Sequence, residues 1–86
     1  MQIRFSKQFR KQYQRLPKPL QQTTRRRLEL WQEDPMNSLL RVHRLSGRLQ
    51  HLYSLSVTGD LRVLYELIGD EIVIFQMVGT HAQLYG

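Results

Sequence analysis

Residues 49–78, LQHLYSLSVTGDLRVLYELIGDEIVIFQMV, decide the fold. Hydrophobicity here repeats every second residue, the period of a strand with one buried face. Leu49, His51, Tyr53, Leu55 and Val57 share one face of the first run, and Gln50, Leu52, Ser54 and Ser56 the other. Thr58-Gly59-Asp60 turns the chain, and Leu61, Val63, Tyr65 and Leu67 then make a second apolar face, with Arg62, Leu64 and Glu66 opposite. Gly69-Asp70 is a tight hairpin signal. Ile72 to Val78 is apolar on both faces, which suits a central, covered strand. Three such runs joined by short turns predict an antiparallel meander.

Upstream the pattern weakens and then changes period. Leu40, Val42 and Arg44 oppose Leu39, Arg41 and His43, a weak strand that ends at the turn signal Ser46-Gly47. Met36-Asn37-Ser38 reads as loop. Before it, Leu20, Thr24, Leu28 and Trp31 form a helical stripe over 19–33 that Asp34-Pro35 ends. Pro17-Lys18-Pro19 separates it from an earlier helix, capped by Ser6 and striped by Phe9, Tyr13 and Leu16. So short a link makes the two helices an antiparallel hairpin. Gln2-Ile3-Arg4-Phe5 alternates as a short strand. The expected fold is α+β, in the order βααβββ. A helical hairpin covers one face of a small, twisted, mostly antiparallel sheet, in a single domain over 1–86. The face bearing Ser54, Ser56, Arg62 and Glu66 is expected to be open and polar enough to work on a ligand.

The 86 residues carry a formal charge of +6, unevenly placed. Residues 1–48 hold 12 Lys and Arg against 3 acids, a net of +9, and residues 49–86 hold Arg62 against 4 acids, a net of −3. Such a field favours a polyanion, whether nucleic acid, an anionic membrane surface or an acidic protein, and a solvated Arg-rich helix surface explains it equally. No helix pairs a basic face with a broad exposed apolar one, which argues against the membrane. Without cysteine there is neither a disulfide nor a thiolate site. No secretory leader is recognisable, and Ile72-Val73-Ile74-Phe75, the longest apolar run, is too short to span a bilayer, so a cytoplasmic protein is expected.

Few residues are left for chemistry. No Gly-rich phosphate loop, HExxH or paired-carboxylate motif is present. His43, His51 and His81 are irregularly spaced with no ligand-like carboxylate beside them, so neither a metal nor another cofactor is expected. His51 falls on the core-facing phase, as a histidine at the margin of the core. His43 falls on the opposite phase from Val42. From position alone His81 reads as an exposed tail histidine, although a histidine just after a central strand is also placed to project over a site. Arg62 lies on the open face, where it either grips a phosphate through its planar fork or pairs with Glu66 or Asp60.

Three stretches resemble the RelE/ParE toxin superfamily, and within it the YafQ-like branch. They are His43-Arg44-Leu45-Ser46-Gly47, Leu61-Arg62-Val63-Leu64-Tyr65 and Val78-Gly79-Thr80-His81-Ala82-Gln83-Leu84-Tyr85. The Gly-Thr-His segment followed four residues later by an aromatic is the most specific of these, and the strand-helix-helix-meander order agrees. The resemblance implies a toxin of a type II toxin–antitoxin system that cuts messenger RNA on the ribosome without a metal. The ribose 2′-hydroxyl attacks the adjacent phosphate and the 5′-oxygen leaves. It implies His81 as an acid/base residue, Tyr85 as a base-stacking or phosphate-placing ring, and Arg62 as a phosphate clamp. His43 and Asp60 become secondary acid/base or orienting groups. Under the same reading Arg10, Lys11, Arg25, Arg26, Arg27, Arg41, Arg44 and Arg48 hold ribosomal RNA, and a cognate antitoxin is the protein partner.

The chain departs from the branch at three positions. Ser56 stands where a YafQ-like member has histidine, Leu61 where it has an aromatic, and Met77 where it has arginine, whereas Arg62 is the RelE-like feature. Two rival readings follow from the same fold: a ParE-like gyrase poison, against which the His81–Tyr85 tail argues, and a catalytically inactive RNA- or ribosome-binding module.

Overall fold

The meander forms the middle of a five-stranded sheet. In the computed structural model, which describes residues 1–85, the chain runs β1 (Gln2–Phe5), α1 (Lys7–Gln14), α2 (Lys18–Glu33), β2 (His43–Arg44), β3 (Tyr53–Ser56), β4 (Leu61–Ile68), β5 (Ile72–Thr80) and α3 (His81–Tyr85). The sheet order is β1-β5-β4-β3-β2. β1 lies parallel to β5, and the other three pairings are antiparallel. β5 is therefore interior, as its apolar sequence requires.

The helical hairpin forms for local reasons. Ser6 Oγ accepts the Phe9 N–H at 3.0 Å, the N-cap bond, and donates to Gln76 O at 2.7 Å, tying the start of α1 to β5. Gln21 Nε2 lies within donating distance of the carbonyls of Tyr13 (3.0 Å), Leu16 (3.1 Å) and Gln14 (3.3 Å) at the end of α1, where backbone carbonyls lack full helical pairing. Tyr13 Oη returns a bond to Gln21 O at 3.1 Å. Phe9 and Trp31 are the buried anchors of the two helices, packed over Leu55, Val63, Tyr65, Val73, Phe75 and Val78. The Trp31 ring meets Tyr65 and Phe75 edge-on, with centroids 5.2 and 5.5 Å away. Burial raises the Tyr65 hydroxyl above its ordinary 10.0, an effect that the neighbouring Trp31 partly offsets. The Trp31 Nε1–H itself is buried with no hydrogen-bond partner.

Four expectations need correction. Only His43–Arg44 of the 39–44 strand is extended: Ser38–Leu40 is a 3-10 turn, Leu40 is fully buried, and Arg41 is left-handed at φ 47°. Likewise the 49–57 strand begins only at Tyr53, because Gly47 at φ 66° opens another 3-10 turn, Gly47–Leu49. That turn moves His51 off the core margin into solvent and Leu49 to the opposite face. The supposed open face is also partly covered: Leu52, Ser54 and Leu64 are buried and Ser56 is barely exposed, because residues 45–52 and α3 stand over this side of the sheet. Finally, the tail after β5 is the helix α3. Thr80 Oγ1 accepts the Gln83 N–H at 3.2 Å while Gln83 Oε1 accepts the Thr80 N–H at 2.8 Å, a reciprocal capping box that holds the turn.

Candidate functional site

A cavity of about 340 Å³ opens on the face of the sheet away from α1 and α2. β2 contributes His43, the segment after it Leu45, Ser46 and Leu49, β3 Ser54, β4 Arg62, and α3 both His81 and Tyr85. Sheet register explains the convergence. His43 pairs with Ser54, Ser56 with Arg62, and Arg62 with Gly79, so the row ends where α3 begins. A side chain at Gly79 would come within 3.0 Å of Gln83 Oε1 and 3.3 Å of Leu84 Cδ2, so glycine lets α3 lie close on β5.

The groups are held in defined ways. Arg62 donates from Nη1 to Thr58 O at 3.0 Å and to Leu61 O at 3.3 Å. Its tether is thus the β3–β4 turn and not the carboxylate pairing considered from sequence: Glu66 accepts from Gln76 Nε2 at 3.2 Å, and Asp60 Oδ1 from the His81 N–H at 3.4 Å. Both bonds use Nη1, which leaves Nε and Nη2, the edge that grips two oxygens of a phosphate. His43 Nδ1 lies 3.1 Å from Arg41 O. Because a carbonyl only accepts, Nδ1 is the donor in this contact, which leaves Nε2 as the ring nitrogen not engaged by it. His81 and Tyr85, one helical turn apart, have ring centroids 4.6 Å apart. Asp60 does not line the cavity; its carboxylate sits at the start of α3, over the backbone of His81. No group of three or more His, Asp or Glu placed to hold a metal occurs among the described residues.

The basic residues divide. Arg10, Lys11, Arg25 and Arg26 are exposed on the helices, Arg41 and Arg48 are exposed in the segments flanking β2, and Arg44 is exposed on the helix-side face of β2, paired with Tyr53. Arg44 also donates to Gln50 O at 2.7 Å and lies over the Tyr53 ring at 5.7 Å. Arg27 is half-buried and donates to Val57 O at 3.3 Å, a strut between α2 and the sheet. A larger cavity of about 470 Å³ on the helix side is lined chiefly by Ile3, Phe5, Phe9, Tyr13, Leu28 and Phe75. It contains no histidine and does not gather acid/base groups. Sequence reading placed Ser54 on the working face but missed Leu45, Ser46 and Leu49 as cavity walls, and α3 as their cover. The Thr80-x-x-Gln83 capping box was the available signal for α3.

This α+β architecture is that of the RelE/ParE toxins. The structure of YafQ from E. coli strain BL21(DE3) superposes with a TM-score of 0.85 at 24% identity, covering 98% of this chain and 97% of that one. YafQ in the E. coli DinJ–YafQ toxin–antitoxin complex matches at 0.82 and 25% identity, over 98% and 96% of the two chains. A YoeB/ParE toxin from Agrobacterium tumefaciens matches at 0.79 and 16%, over 94% and 99%. No curated protein sequence matches significantly. A family model described as a bacterial toxin of type II toxin–antitoxin systems, YafQ, matches residues 1–86, and the chain belongs to that toxin family.

Proposed function

We propose that this toxin is an mRNA endoribonuclease acting on the ribosome, and that the cavity of His43, Arg62, His81 and Tyr85 is its active site. The observation that carries the reading is convergence. Two imidazoles, one guanidinium and one phenol from three separate elements face a single cavity large enough for a nucleotide. Metal-free transfer at RNA phosphate needs such a set. One imidazole takes the proton of the 2′-hydroxyl, whose oxygen attacks the adjacent phosphorus. The other gives a proton to the departing 5′-oxygen, leaving a 2′,3′-cyclic phosphate. Arg62, anchored through Nη1, offers its remaining edge to the charge that builds on the phosphoryl oxygens. Tyr85 supplies a face for a base, and Asp60 orients His81 through the start of α3.

Arg62 also accounts for Met77. Arg62 pairs with Gly79 and Leu64 with Met77, so Arg62 and Met77 are diagonal neighbours on one face, roughly 7–8 Å apart at their Cα atoms. A long cationic side chain from either position extends toward the same cavity. The exposed arginines then hold the protein on ribosomal RNA. A cognate antitoxin is the protein partner, as DinJ is of YafQ in the complex that shares this fold.

The test is induced expression of wild type and His81→Ala with primer extension on a translated message. Codon-linked cuts with the wild type alone are expected. Growth arrest with an intact message would overturn the reading and direct attention to gyrase.

A further inference from the structure

Ser54 is 1% exposed and its hydroxyl has no hydrogen-bond partner. Leaving a buried hydroxyl unpaired is unfavourable, and an apolar residue of the same size would avoid the problem. Yet Ser54 also borders the cavity. Its Oγ is thus shut away at the margin of the cavity. Rotation about χ1 gives Oγ other staggered positions from which to meet a ligand there. The missing partner is therefore a group that arrives in the cavity.

The rest of the lining says what kind of group. Once His43, His81 and Arg62 are assigned to the ribose and phosphate, what remains is Leu45, Leu49 and the Tyr85 ring, with the hydroxyls of Ser46 and Ser54. Apolar and aromatic walls with a few hydroxyls suit a ligand that is flat, apolar on its faces and polar at its edge. A nucleobase splayed out of a single strand has that character. We propose that Ser54 is a specificity-determining residue: its hydroxyl turns into the cavity and hydrogen-bonds the edge of a base next to the scissile phosphate, with Leu45, Leu49 and Tyr85 holding its faces. This inference rests on reading the cavity as the RNA site.

The experiment titrates the ¹⁵N-labelled full chain with each of the four nucleoside 3′-monophosphates, for wild type and Ser54→Ala. A parallel arm maps cuts on a translated message. Removing an unpaired buried hydroxyl leaves the fold intact or firmer, so Ser54→Ala is expected to be well folded. Amide shifts at residues 45–49, 54 and 85 should accompany binding, with one base preferred. Ser54→Ala should weaken that nucleotide by roughly five- to tenfold, the scale of one neutral hydrogen bond, and leave the others unchanged. The cut spectrum should broaden in parallel. Equal affinities in the two proteins, or no saturable binding at these residues, would overturn the proposal. The two readings separate cleanly. Base-selective binding lost in Ser54→Ala, with no message cut by the wild type, would sustain the slot and end the nuclease assignment. Cleavage with affinities and spectrum unaltered by Ser54→Ala would do the reverse.

Discussion

Arg62 shows how much one side chain's tether decides. From sequence its two readings, phosphate clamp or ion pair, could not be separated, because alternation shows which face a residue takes but not what it bonds. The carbonyls of Thr58 and Leu61 hold Nη1 and no carboxylate competes at that nitrogen. Arg62→Ala is expected to lower message cleavage by roughly 10²- to 10³-fold, the cost of losing one donor group to transition-state charge. Adding Met77→Arg should restore part of it, since the diagonal position lies on the same face of the sheet and a long side chain there extends toward the cavity. Primer extension on the single and double variants checks this, and a double variant no better than Arg62→Ala would count against the equivalence. Arg41 is a different case. Its φ of 47° is unfavourable for a residue with a Cβ by about 1–2 kcal/mol, and its carbonyl positions His43. Urea unfolding should show Arg41→Gly as stable as wild type or up to about 1 kcal/mol more so. Arg41→Val should lose about 1–2 kcal/mol. Tyr65, 2% exposed, sets an alkaline limit. Its folded pKa is raised by burial, so the stability it contributes is complete below the unfolded value of 10.0 and lost as pH rises through the folded value. Denaturation midpoints measured from pH 8 to 11 should fall at the alkaline end, and less steeply in Tyr65→Phe.

At the scale of elements, what was legible depended on run length. β4 alternates and β5 stays apolar on both faces for long enough to declare themselves, as do the stripe of Leu20, Thr24, Leu28 and Trp31 and the helix hairpin it belongs to. Residues 49–52 continue the alternation of β3 on paper, but two apolar positions in four residues fit a turn as well. The left-handed Gly47 decides for the turn. That misreading hid part of the cavity, since it placed Leu49 in the core and left the other face bare. Resemblance singled out His81 and Tyr85, but their mutual placement was not legible, because it depends on α3. With five residues α3 is far too short to be stable alone. It persists through its capping box and its close seat on Gly79. Gly79→Ala puts a methyl against the Gln83 and Leu84 side chains, which must give by a few tenths of an ångström and so disturb the capping box that seats His81 and Tyr85. Cleavage should drop by roughly tenfold or more, as misplacement of reacting groups does, while the thermal midpoint changes little. Gln83→Ala, which breaks the capping box without adding bulk, should act in the same direction and cost about 1 kcal/mol. Full activity in both variants would mean that α3 does not set the site.

The whole molecule is two-sided in a way its net charge conceals. The cavity opens on the sheet face bearing Ser54 and Arg62, whereas α1 and α2 cover the face bearing Val63, Tyr65 and Phe75. Arg10, Lys11, Arg25 and Arg26 on the helices thus sit across the sheet from Arg62 in the cavity and from Arg48, which adjoins the cavity residue Leu49 in the chain. One strand of message cannot touch both sets. If the helix set grips ribosomal RNA, its loss should weaken ribosome binding and leave nucleotide binding in the cavity intact. In a plot of log affinity against log salt, each phosphate contact contributes a slope of roughly −0.7 to −0.9. Arg25→Ala combined with Arg26→Ala should therefore flatten the slope for ribosome binding by about 1.4–1.8. Arg48→Ala, beside the cavity residue Leu49, should weaken both ribosome and mononucleotide binding. Arg27→Ala is the internal control. Its guanidinium is engaged with Val57 O across the α2–sheet contact, so the variant should lose stability with little change in slope. A slope unmoved by the helix pair would show that those arginines do not face RNA at all. Their field would then serve an acidic partner docking on the helix side, and the cavity would make every nucleic-acid contact.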